Sequence, residues 1–193
     1  MTSYLFVHQN FPGQFPHVAR ALAERGDTVV AIGDAKPMNS RSNLHPRIRM
    51  IGYPTPKGAN VQTHHYLREH EAHIRRGQAA FRVALELRKQ GFNPDVIVAH
   101  PGWGEALFLR DVFPRARIIH YLEFFYRVSG ADVGFDPEFP VNVDDVCRVR
   151  IKNATQMLGF EAADAGISPT VWQKSRYPFD WQNRIEQLHD GID

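Results

Sequence analysis

The chain has 193 residues, of which 43% are hydrophobic and 23% charged, and its formal net charge at pH 7 is +2. That length suits one domain with a full-sized core, the composition is that of a globular protein rather than a disordered chain, and so small a basic excess, without clusters, argues against a nucleic-acid partner. The single cysteine, Cys147, excludes an internal disulfide and fits a reducing compartment, and is expected to be a small buried or half-buried side chain.

Met1–Val7 lacks the basic start of a signal peptide. No apolar stretch approaches the ~20 residues that span a bilayer. A cytoplasmic location is the resulting expectation. Tyr4–His8 then reads as a short buried strand. Gln14–Arg25 reads as a helix, with Phe15, Val18, Ala19 and Leu22 at helical spacing and Gly26 just past its end. Thr28–Ile32 is a β-branched strand closed by Gly33 and Asp34, and Arg49–Tyr53 is a weaker strand. His65–Gln90 is a long helical pattern ended by Gly91. Asn93-Pro94 sets the start of the apolar strand Asp95–Ala99. Gly104–Val112 reads as a helix and Arg117–Tyr121 as a strand. Residues 123–142 are aromatic and acidic, with Pro137 and Pro140, and read as a long excursion. Val143–Ala163 is helical, Asp164–Ile167 a strand, and Pro169–Arg176 a short helix with Ser168 as its N-cap. Ile185–Leu188 is the last strand.

Strands alternating with helices predict an α/β, Rossmann-like domain of three layers with a mostly parallel sheet. Right-handed crossovers place every strand-to-helix loop on one edge, and ligands of such sheets bind there. The loops of interest are therefore 8–14, 33–47, 100–104, 121–142 and 168–170.

In the first of these, a helix beginning near Gln14 would aim its free amides and its positive dipole end back into the loop. Gly13 would let an anion approach the backbone, with Asn10 beside it. A tight turn that needs glycine is the competing explanation. Neither G-x-G-x-x-G nor G-x-x-x-x-G-K-[ST] occurs, so a dinucleotide fingerprint and a Walker loop are both absent. The second loop, His100-Pro101-Gly102-Trp103-Gly104-Glu105, gathers an imidazole, an indole and a carboxylate, and its two glycines allow close approach. A rigid loop covering the core would look the same. In the third, His120 and Glu123 end a strand, where a carboxylate could act as a base or orient a hydroxyl. Tyr121, Phe124, Phe125 and Tyr126 could stack on a sugar, though at least two of them suit the core better. The group His64, His65, His70 and His73 lacks metal-site spacing and reads as a solvated helix face.

The end of the chain, Ser168-Pro169-Thr170-Val171-Trp172 and then Arg184-Ile185-Glu186-Gln187-Leu188-His189-Asp190-Gly191-Ile192-Asp193, closely resembles the first-domain exit of glycosyltransferase family 4. Asp190 stands where Asn is commoner. Together with Phe6–Phe15, His100–Glu105 and Glu123–Tyr126, the resemblance spans essentially the whole chain. It is that of the N-terminal domain of bacterial group 1 enzymes.

The resemblance implies the GT-B arrangement: two Rossmann-like domains facing across a cleft, the first holding the acceptor and the second most of a nucleotide-sugar donor. It implies retention of anomeric configuration, no obligatory metal and no cofactor. Gly13, with Gln14, matches the family's contact to the donor diphosphate. His120 is the nearest match to a family histidine beside the reacting sugar, but the residues after it differ. His120, Glu123 or neither could fill that role. Asn10, His100, Trp103, Glu105 and Arg127 fall on the implied acceptor side, with selectivity expected in 33–65 and 123–142. The implied partners are a nucleotide sugar, a saccharide or lipid-linked acceptor that would bring the domain to the inner face of a membrane, and a C-terminal donor domain. Residues 1–188 would be the domain and 189–193 the start of the linker. Such a domain alone is expected to fold but not to transfer sugar. The alternatives are a stand-alone carbohydrate-binding module and half of a nucleotide-sugar 2-epimerase.

Overall fold

The computed structural model describes residues 1–38, 44–131 and 133–191. In chain order the elements are β1 (Ser3–Val7), α1 (Pro16–Glu24), β2 (Thr28–Asp34), α2 (Ala35–Met38), β3 (Ile48–Tyr53), α3 (Arg68–Lys89), β4 (Val96–Ala99) and α4 (Leu109–Val112). They continue with β5 (Arg117–Tyr121), α5 (Val143–Lys152), α6 (Ala154–Glu161), β6 (Ala165–Ser168), α7 (Val171–Arg176), α8 (Phe179–Gln182) and β7 (Ile185–Gln187). Every pairing is parallel, and the strand order is β3-β2-β1-β4-β5-β6-β7. This is the expected Rossmann-like α/β sheet.

Side chains alternate across each strand, so one strand feeds two cores. Leu5 and Val7 point toward α3 and join Ile97, Ile118, Ala80, Ala84 and Phe160. Phe6 points the other way and joins Phe11, Phe15, Ala19, Ala31 and Tyr121 under α1. Because β1 is central it is buried on both faces, and Leu5, Phe6 and Val7 are wholly inaccessible. Burying each of the larger side chains contributes about 1.5–3 kcal/mol.

All seven expected strands form, but several expected boundaries move. β2 runs on through Gly33 and Asp34, which pair with Gly52 and Tyr53 instead of closing the strand. The Asp34 carboxylate accepts from the Lys36 amide at 3.0 Å and from the Thr55 hydroxyl at 2.6 Å, which holds α2 against β3. The expected helix from Gly104 shrinks to α4, because Gly104 adopts φ +101° and cannot continue one. The long pattern 143–163 divides at Asn153. Its side chain accepts from the Tyr126 amide and donates to the Tyr126 carbonyl, at 2.9 and 2.8 Å, and so anchors the excursion. Asn142 begins α5 with a reciprocal capping box to Asp145.

Three further expectations are corrected. Thr170, not Ser168, caps α7, accepting from the Gln173 amide; Ser168 ends β6 and is buried. Cys147 is exposed on α5. His64 and His65 are exposed, but His70 and His73 turn toward α6, each ring nitrogen 2.9 Å from the Thr155 hydroxyl. Residues 39–43 and 132 of the expected selectivity segments, and 192–193 of the expected linker, lie outside the described residues. Among the described residues no helix is long and apolar enough to cross a membrane.

Candidate active site

Chain connections from β1 and β4 leave in opposite directions across the sheet. Between two such strands the loops diverge and open a crevice at their carboxyl ends. Each of the two strands ends in a histidine. His8 Nδ1 accepts from the Asn10 amide at 2.9 Å, and His100 Nδ1 accepts from the Gly102 amide at 3.1 Å. That geometry assigns the proton of each neutral ring to Nε2.

His100 uses that proton. Its Nε2 donates to Glu123 Oε2 at 3.2 Å, and the Gln14 amide donates to the same oxygen at 2.9 Å. One carboxylate oxygen thus ties the loop after β1 to those after β4 and β5. The His100 bond holds the Glu123 carboxyl below its usual range, against the opposing pull of partial burial. Trp103 stacks on His100 with centroids 4.3 Å apart, and His8 stands edge-on to both rings. A cavity of about 300 Å³ opens beside them, lined by His100, Trp103, Tyr121, Glu123, Tyr126 and Lys152 among others. Aromatic walls with a few convergent polar groups suit a hydroxylated ring. A larger cavity, about 600 Å³, lies between α3, α4 and α6 beside the structural pair Arg110–Asp164.

Of the residues anticipated from sequence, Gln14, His100, Trp103 and Glu123 come together, with Asn10 and Gly13 in the same rim loop. His120, Glu105 and Arg127 do not join them. Glu105 lies beneath the loop, buried, accepting from the Tyr53 hydroxyl, and burial raises its pKa. Arg127 donates to the Arg176 carbonyl at 2.6 Å and covers the Phe125 ring. Tyr121 and Phe125 are core, as expected for two of the four aromatics.

The glycines work differently from the expectation. A Cβ on Gly13 would collide with the His8 ring, one on Gly102 would lie 2.6 Å from His100 Cε1, and one on Gly104 would strike the His73 carbonyl. The close approach they permit is to the protein's own imidazoles and to α3. α1 begins at Pro16, two residues later than expected, and the Gly13 amide donates to the Asn10 carbonyl at 3.1 Å.

His120 shares a strand face with Ile118, so alternation sends it into the core toward Gly159 and Phe160. Both ring nitrogens are buried and have no hydrogen-bond partner among the described residues. Burial pushes its pKa down to about 3, and that of His73 down to about 4. Both are lowered from the ordinary histidine value near 6.5. As pH falls from about 6.5 toward these values the unfolded chain takes up protons that the native state refuses, so stability drops. Glu105, with its raised pKa, works in the opposite direction. A His120→Leu variant is therefore expected to have a stability profile flatter than the parent's by up to ~1.4 kcal/mol per pH unit between about pH 6.5 and 3. Urea unfolding across that range checks it; parallel profiles would contradict it.

His8 was legible only as the point where an apolar run stops. The parallel between strand–His8–x–Asn10 and strand–His100–x–Gly102 is the signal that could have found it. Lys152 and Gln173 also line the cavity, and they come from helices far along the chain. No local pattern marks them.

A model of the glycosyl transferase family 4 group matches residues 25–193. No curated protein matches the chain. Among solved structures, it is similar to Acinetobacter baumannii MurG, with 13% identity and a TM-score of 0.56, over 100% of this chain and 47% of that one. It is also similar to Phytolacca americana UGT2 complexed with UDP-2fluoro-glucose and pterostilbene, with 10% identity, a TM-score of 0.60, and 97% and 54% of the two chains covered. A third is a UDP-glucosyltransferase from Polygonum tinctorium, in complex with 3,4-dichloroaniline, with 9% identity, a TM-score of 0.65, and coverage of 98% and 52%. At these identities the likeness is one of fold, and the chain spans about half the length of each.

Proposed function

The chain belongs to the glycosyl transferase family 4 group, and on that premise we propose that it is the acceptor-side domain of a retaining glycosyltransferase. The enzyme transfers a sugar from a nucleotide-sugar donor to a saccharide or lipid-linked acceptor. A single observation carries this reading: Gln14, His100 and Glu123, from three loops, converge on one carboxylate oxygen at the switch point of the sheet.

The acceptor ring lies against Trp103, and its hydroxyl hydrogen-bonds to Glu123, which is ionised at neutral pH. The carboxylate orients that hydroxyl and draws on its proton as the oxygen attacks the anomeric carbon. The donor diphosphate leaves along the carboxyl rim of the sheet. No metal or cofactor enters the scheme. The domain by itself lacks the donor-holding half of the cleft and does not turn over. It works in the cytoplasm, at the inner face of a membrane where the acceptor is lipid-linked.

The test is an NMR titration of this chain with UDP-, GDP- and ADP-sugars and with a panel of methyl pyranosides. Shifts centred on Trp103, His100 and Glu123 are the expected result. If no sugar or nucleotide sugar disturbs those residues, the reading fails. A steady release of free sugar from a donor by this chain alone would refute its inactivity.

A further inference from the structure

Beside the acceptor cavity lies a second one of about 410 Å³, and the two share a wall made of Glu69, Tyr126 and Lys152. Both volumes fall in the range of small-molecule sites. The Lys152 ammonium lies 4.3 Å from the centroid of the Tyr126 ring and 3.7 Å from the Glu69 carboxylate. That ion pair is longer than a hydrogen bond and its partners are partly exposed, so it is worth little. The ammonium protons stay available to a third oxygen.

The second cavity mixes two kinds of surface. Phe139, Val141 and Val149 give it an apolar side. Asp145 and Arg148 give it a charged side, paired with each other at 3.0 Å through one guanidinium nitrogen. Among the described residues that is the one hydrogen bond the Arg148 fork makes. Hydrocarbon seated there would strip water from the charges and return nothing. A pyranose ring suits both sides. Its C–H face matches the apolar surface, and its rim of hydroxyls can donate to the carboxylate and accept from the guanidinium. Phe139, 72% exposed, offers an open aromatic surface for the ring to stack on.

We infer that the acceptor is an oligosaccharide rather than a single sugar. Its reacting unit occupies the first cavity, against Trp103 and Glu123. The next unit occupies the second, between Phe139 and the Asp145–Arg148 pair. This rests on the glycosyltransferase reading above. Because the two cavities share a wall, adjacent units joined by one glycosidic bond can fill both. Lys152 stands in that wall, where its ammonium donates to the oxygens around the bridge. A lone sugar fills the first cavity and gains nothing from the second.

The experiment measures binding to the purified chain by NMR titration. The ligands are methyl pyranosides of glucose, galactose, mannose and N-acetylglucosamine, the disaccharides those sugars form in each linkage, and the corresponding octyl pyranosides below the micelle concentration. At least one disaccharide is expected to bind about tenfold more tightly than the methyl pyranoside of either of its units, roughly what one hydrogen bond to a charged group supplies. Phe139→Ser and Arg148→Gln are each expected to bring that ratio close to one. Both side chains are more than half exposed, so the variants should fold as the parent does. A panel in which no disaccharide exceeds its own units, or a gain that survives both substitutions, overturns the oligosaccharide inference alone. An octyl pyranoside that gains as much as the best disaccharide overturns the assignment of the second cavity to a sugar. Binding of no glycoside and no nucleotide sugar overturns the glycosyltransferase reading with it.

Discussion

Replacing Glu123 with Gln is expected to slow sugar transfer by about 10²–10⁴-fold, the usual worth of a positioned acid or base, with little change in stability. The substitution keeps a side-chain oxygen that can accept from Gln14 and His100, so the three loops stay tied. Only the charge is lost. The measurement is kcat for sugar transfer by the proposed two-domain enzyme. His120→Leu is the paired control. It is expected to leave kcat within a few-fold while altering the pH dependence of unfolding, because His120 faces the core. The reverse outcome, with His120→Leu silencing transfer and Glu123→Gln harmless, would move the chemistry to the histidine.

Gly104→Ala is expected to be the most damaging single-methyl change in the chain. Two costs add. The backbone sits at φ +101°, where an L side chain is strained by about 1–3 kcal/mol. The new Cβ would also strike the His73 carbonyl of α3, and crowding of that kind costs about 1–3 kcal/mol more. Neither backbone can retreat easily, since Gly77 of α3 already lies close enough that its own Cβ would be 2.7 Å from the Gly104 carbonyl. Against a typical total of about 5–15 kcal/mol, the loss approaches global unfolding. Gly91→Ala isolates the strain: Gly91 has φ +88°, and an added methyl group there would meet nothing within 4 Å. Unfolding free energies from urea titrations of the two variants should differ by at least ~1 kcal/mol. Equal free energies would show that α3 does not press on the loop. The same contact explains why the site depends on Gly104, because it fixes the loop that carries His100 and Trp103.

The layering of this fold follows from short-range rules. The apolar runs 4–8, 28–32, 95–99 and 117–121 have strand length, and glycines or Asn-Pro punctuate them. Once the strands alternate with helices, handedness puts the loops of interest on one edge. That much of the site was legible: Gln14, His100, Trp103 and Glu123 all lie in loops named by this rule. The misplaced boundaries have a common origin. Gly104, Asn153 and Gly33 each obey a partner distant in sequence, and local periodicity cannot see it.

By itself the sequence determined the alternation of strand and helix, the edge on which ligands gather and the family, because those depend on spacing and on short motifs. Only the tertiary structure decided which histidine looks outward. His100 ends its strand at the rim and bonds Glu123, whereas His120 lies within its strand on the face turned to α6. It alone decided that Lys152 joins Tyr126 and Glu69 between two cavities. The reason is that a strand's facing has a period of two, so one residue of register moves a side chain from cleft to core, while a cavity is assembled from segments whose meeting no local pattern encodes.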